Sequence, residues 1–151
     1  MTATQQYCTF FLNNLHFGIN IKQVQEVIRT PEITPVPLAP IDICGLINLR
    51  GQVVTAIDLQ SRLGMGHGLQ IPVKNLELNE DFLSYNIIIE SSNELASLLV
   101  DDIGDMLEFL PDKFEPPPAT LTGKIRQLLK GVYTLSQGFL MILDLEKILK
   151  T

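Results

Sequence analysis

Two stretches of this 151-residue chain repeat each other. Residues 45–63, GLINLRGQVVTAIDLQSRL, align without a gap to residues 131–149, GVYTLSQGFLMILDLEKIL. Gly45 meets Gly131, Leu49 meets Leu135, Asp58-Leu59 meets Asp144-Leu145, and Leu63 meets Leu149. Upstream of each, INIKQVQEVI (19–28) lies beside LLVDDIGDML (98–107). There the apolar pairs are Ile21/Val100, Val24/Ile103 and Val27/Met106, and Glu26 falls opposite Asp105. Two gapless matches in the same order predict two similar structural units. A unit of half this length is marginal for a core of its own. The two should therefore pack through a shared apolar layer, and the seam between them is a natural groove.

The units read as β-built. Short runs rich in β-branched and aromatic residues, bounded by Gly, Asn or Pro, predict strands near 7–12, 15–21, 24–29, 46–50, 52–58, 85–91, 95–101, 103–109, 131–136 and 139–144. About five strands per unit suffice for a small closed barrel, which removes exposed sheet edges. Asn13-Asn14 predicts a hairpin turn, and Asn93 another, because Asn tolerates positive φ. Asp58 and Asp144 predict caps of short helices, with Gly64 ending the first. A further short helix fits 121–131, where Leu121, Ile125, Leu128 and Leu129 share a face. The proline-rich stretches 30–40 and 111–120 read as stiff connections, and 65–81 as a longer polar loop. Apolar residues at spacing three, Ile21, Val24, Val27 and Val100, Ile103, Met106, do not suit a plain strand of period two. They predict a kink near Lys22-Gln23 and near Asp101-Asp102, which would turn some of these side chains outward.

Chemistry is sparse. The net charge of −6 disfavours nucleic acid, whose affinity rests on Lys and Arg against phosphate. No apolar run reaches the ~20 residues that span a bilayer, and the start, MTATQQYC, lacks the basic and apolar regions of a secretory signal. Cys8 and Cys44 lie in apolar contexts and read as core thiols of a reducing compartment. Neither His16 nor His67 has Cys or His neighbours at metal-ligand spacing, and GMGHG (64–68) lacks the strand-to-helix setting of a phosphate loop. Asp101, Asp102 and Asp105 could bind a cation or exchange protons, but they sit at a strand end where surface charge explains them. The reading is a protein without catalytic residues, cofactor or metal. An acid–base enzyme on those aspartates and an SH3-like nucleic-acid binder are the competing classes.

That leaves the corner Arg50-Gly51 between two apolar strands. Its counterpart is Ser136-Gln137-Gly138, so the turn does not require an arginine. Arg50 is either an exposed charge or a planar donor projected into the seam. The spacing-three residues are either core or the lining of a groove that receives a partner helix or hairpin.

These residues carry a resemblance. FGINIKQVQEVIR, ITPVP, GLINLRGQVVTAIDL and LGM, followed by LLVDDIGDMLEF and GFLMILDLEKIL, resemble the CheW family of chemotaxis coupling proteins from about Tyr7 to Leu149. The most specific element is Asn48-Leu49-Arg50-Gly51. The resemblance implies an all-β fold of two intertwined five-stranded SH3-like barrels, with short helices after Asp58 and Asp144. It implies one domain over 1–151, its halves near 15–85 and 86–145 plus the N-terminal strand. It further implies a non-catalytic adaptor, cytoplasmic and held at membrane-associated receptor arrays. Such an adaptor joins the cytoplasmic hairpin tip of a methyl-accepting chemoreceptor to the regulatory domain of a CheA-type histidine kinase, without entering the membrane. Ile21, Val24, Val27, Val100 and Ile103 match receptor-groove positions. Glu26 and Arg50 match polar positions tied to coupling, and Arg50 is expected to order the groove rim by pairing with Glu26. Ile33 and Thr34 match a kinase-facing edge. The length of 65–81 leaves open an adaptor of a non-flagellar array, such as one for twitching motility or phototaxis.

Overall fold

The computed structural model describes residues 3–65 and 84–150. Nearly all of the 65–81 loop, with His67, lies outside them. Eleven strands and three short helices are ordered along the described chain. They are β1 (Gln5–Leu12), β2 (Leu15–Asn20), β3 (Val24–Arg29), β4 (Ile43–Leu49), β5 (Gln52–Asp58), α1 (Leu59–Arg62), β6 (Tyr85–Ser91), β7 (Glu94–Val100), β8 (Asp102–Ile103), β9 (Leu107–Phe109), α2 (Lys124–Gln127), β10 (Leu129–Leu135), β11 (Gly138–Leu143) and α3 (Leu145–Lys150).

The strands form two sheets. One runs β3-β6-β7-β5-β4; the other runs β10-β11-β2-β1-β8, with β9 also paired to β1. Each predicted hairpin is present. Asn13-Asn14, Arg50-Gly51 and Ser92-Asn93 all have positive φ at both central residues, the turn whose twist suits antiparallel strands. In each half the second hairpin strand pairs in parallel with a strand from elsewhere, β5 with β7 and β11 with β2. The second sheet has six strands where five were expected, because the run 103–109 breaks at Gly104. There the backbone folds round Thr9. The Gly104 N–H donates to the Thr9 carbonyl at 2.9 Å, and the Thr9 hydroxyl donates to the Asp105 carbonyl. A Cβ at position 104 would strike that hydroxyl.

The halves near 15–85 and 86–145 divide the chain differently from the sheets. β2 sits in the six-stranded sheet, while β6 and β7 sit in the five-stranded one. Each half therefore lends strands to the other. The largest core cluster reflects this, joining Phe10, Leu12, Phe17 and Ile19 of one sheet to Ile57, Ile87, Leu98 and Val100 of the other. Each sheet also has a small core of its own. Ile47, Val54 and Ala56 fill the first, and Tyr133, Leu140 and Ile142 fill the second. These are the same positions of the 45–63/131–149 repeat.

The caps are as expected. The Asp58 carboxylate accepts from the Ser61 N–H, and that of Asp144 from the Lys147 N–H, both at 3.2 Å. The repeated glycines admit the proline-rich connections. Thr34 pairs with Leu46 and Glu115 with Val132 as single antiparallel bridges. A Cβ at Gly45 would overlap the Thr34 carbonyl, and one at Gly131 the Glu115 carbonyl.

Candidate functional site

Three of the predicted apolar residues, Ile21, Val24 and Ile103, rest on one support, the core shared by the two sheets. Ile21 lies in a 3-10 turn (Ile21–Gln23) capped by the Asn20 side chain, which accepts from the Lys22 N–H at 3.0 Å. That turn is the kink predicted near Lys22-Gln23, and a register shift follows between Val24 and Glu26. Val24 opens β3 and Ile103 closes β8. Ile21, Val24 and Ile103 are all half-buried and pack against the shared core. Val27 faces outward at 39 % exposure, and Met106, its counterpart in the repeat, at 60 %. Val100 differs. It is only 1 % exposed because it is still within β7, facing the shared core, whereas its counterpart Ile21 has been lifted out by the 3-10 turn. Val100 supports the seam from beneath and offers no surface. Ile33 likewise is buried in the first sheet's own core, while its neighbour Thr34 is exposed and bridges Leu46 through two 2.8 Å backbone bonds.

Arg50 and Glu26 meet. One guanidinium nitrogen donates to Glu26 Oε2 at 3.2 Å and the other to Oε1, a two-pronged contact. Strands β3 and β4 are the two edges of the five-stranded sheet. The pair therefore ties one edge to the corner beyond the other by side chains. The hydrogen bond and charge of Arg50 hold the Glu26 carboxyl below the usual glutamate range, and Glu26 in turn raises Arg50. The Arg50 side chain stays mostly in solvent and that of Glu26 is largely covered. Arg50 has φ +51°, in the left-handed region where Asn and Gly are at ease and a long side chain is uncommon. Asn48, two residues before it in the Asn48-Leu49-Arg50-Gly51 motif, has a structural role that the sequence does not show. The Asn48 side-chain oxygen accepts from the Gly51 N–H at 2.8 Å.

Two of the candidate carboxylates accept backbone donors. Asp101 accepts from the Asn13 N–H and Asp102 from the Ile103 N–H, each at 2.8 Å. No cluster of three or more His, Cys, Asp or Glu suited to a metal occurs among the described residues. Burial, reinforced by the charges of Asp58 and Asp42, pushes the Cys44 thiol up to about 12, which leaves almost no thiolate nucleophile at neutral pH. Burial lowers His16, whose ring stacks on Phe11 at 4.4 Å. A cavity of about 380 Å³ lies between Leu15, Leu121, Phe139 and Met141, and none of the predicted site residues lines it. No helix among the described residues is long and apolar enough to cross a membrane.

Comparison with known proteins gives a consistent picture. The CheW-like domain family matches residues 6–151. The Chemotaxis protein CheW of Treponema pallidum is 25 % identical over 143 residues, covering 95 % of this chain and 81 % of that protein. That of Klebsiella aerogenes is 26 % identical over 150 residues, covering 99 % and 84 %. Among solved structures, the scaffolding protein TtCheW of Thermoanaerobacter tengcongensis superposes with a TM-score of 0.79 at 28 % identity, covering 98 % of this chain and 88 % of that one.

Proposed function

The chain belongs to the CheW family, with two SH3-like barrels, and from that membership we propose that it is a non-catalytic adaptor coupling chemoreceptors to a CheA-type kinase. Fold alone does not assign function. The observation that carries the reading is the seam. Ile21, Val24 and Ile103 come from both sheets, rest on one core, and remain half-exposed. An apolar surface of this kind suits one face of a helical hairpin, the form of a receptor tip. Glu26 on β3, and Arg50 reaching it from the β4–β5 turn, set the rim in this reading. Thr34, exposed on the proline-rich connection, belongs to the kinase-facing side in this reading, with Ile33 buried beneath it.

The test is a pull-down of the purified chain with the cognate kinase's regulatory domain and a receptor-tip fragment. Wild type should capture both. Val24→Asp should lose the receptor fragment at least tenfold while keeping the kinase domain, because a buried charge without a partner is costly at an apolar contact. Arg50→Ala should weaken coupling with little change in melting temperature, as expected for an exposed pair. Wild type that binds neither partner would end this reading. So would a Val24→Asp variant that binds the receptor fragment as wild type does.

A further inference from the structure

We propose that Asn48 is the positioning residue of the Arg50–Glu26 rim, holding the turn so that the guanidinium can reach across to β3. Three observations support it. The Asn48 side chain is on the exposed face of β4. It folds over the corner to accept the Gly51 N–H at 2.8 Å, a donor that would otherwise face water. Arg50 adopts a left-handed φ of +51°. The other hairpin residues with φ near +50 to +65° are Asn13, Asn14, Ser92 and Asn93, short polar side chains that are compatible with this region. An arginine gains nothing locally from the conformation. The β4–β5 ladder closes the hairpin at Leu49 and Gln52, and among the described residues Asn48 supplies the side-chain hydrogen bond to the turn's backbone.

The repeat gives an internal control. The positions equivalent to Asn48 and Arg50 are Thr134 and Ser136. There neither central turn residue, Ser136 nor Gln137, is left-handed, and the positive φ has moved to Gly138. The clamp and the arginine are present together in one half and missing together in the other. That is expected if one exists for the other. The Asn48 side chain bonds the turn at Gly51, while Glu26 bonds Arg50, so in this proposal Asn48 acts through Arg50. Its consequence for receptor binding rests on the function proposed above; its consequence for geometry does not.

The experiment separates the two. The Glu26 carboxyl is titrated by carbon-13 NMR in the full chain, as wild type, Asn48→Ala, Arg50→Ala and the double variant. Arg50→Ala should return Glu26 upward to the ordinary glutamate range. Asn48→Ala should move it most of that way, and the double variant should match Arg50→Ala alone, since residues acting in series are not additive. An Asn48→Ala titration superimposable on wild type, or a double variant shifted beyond Arg50→Ala, would overturn the proposal. In a second arm, binding of the receptor-tip fragment should fall as much in Asn48→Ala as in Arg50→Ala. It should recover in Asn48→Asp, which keeps an acceptor oxygen. If the titrations behave as expected but Arg50→Ala binds the fragment like wild type, the geometric inference stands. The coupling function of this rim then falls.

Discussion

Arg62 and Ile148 occupy the same position of the two repeats, and they touch. Arg62 is 5 % exposed. Its Nε donates to Asp42 at 2.7 Å and one terminal nitrogen donates to the Ile148 carbonyl at 2.9 Å. The contact joins the same position of the two repeats. It ties α1 to α3. Burial alone would raise Asp42, but the hydrogen bond and charge of Arg62, with Lys124 nearby, outweigh it and hold the carboxyl low. Arg62→Ala should cost about 3 kcal/mol, the lower end for breaking a buried pair, because Asp42 keeps some contact with water. Chemical denaturation checks this. A depressed carboxylate contributes stability above the ordinary aspartate range, about 3.9. That contribution is lost as pH falls through the lower folded value. The acid loss of stability should therefore be smaller in Asp42→Asn. The alignment sets Arg62 opposite Ile148, but nothing local marks it as buried. Its partners lie 20 and 86 residues away.

Among the elements, the hairpins were the most legible, since two-residue turns with Asn or Gly need only local chemistry. The broken run 103–109 was not, because the break is set by Thr9, almost a hundred residues earlier. The matched glycines fall between these cases. Their equivalence was plain in sequence, but its reason is tertiary. Each lets a proline-rich connection lay one backbone bridge against an edge strand. The prolines then withhold further N–H donors, which blunts the edge against pairing with other chains. Gly45→Ala and Gly131→Ala should each destabilise by about 2 kcal/mol or more, since the obstructing atoms are backbone. Gly45 should be the worse, having φ +148° as well. Thermal melts of the two variants beside wild type test the order. The seam was half legible for the same reason. Spacing three correctly announced a kink, yet only the 3-10 turn decides that Ile21 emerges while Val100 stays buried.

For the whole molecule, the duplication established two units and a shared layer, but it could not show which strands cross over. Because Phe10 and Phe17 of one sheet pack with Ile87 and Leu98 of the other, neither half retains a closed core alone. Unfolding should be one cooperative transition, with calorimetric and van't Hoff enthalpies equal. Fragments divided between Val100 and Asp102 should each lack dispersed amide NMR signals. Two separated transitions would contradict this account of the core.

The parallel pairing of β2 with β11 also bears on how the protein is made. Met141 leaves the ribosome 124 residues (141 − 17) after Phe17, its ladder partner. At roughly 5–20 residues per second, that is a delay on the order of 6–25 s. During that time an early aromatic hairpin has no neighbour on one flank. Such a nascent chain has a window of vulnerability to chaperone capture or aggregation that closes only when its last strand emerges.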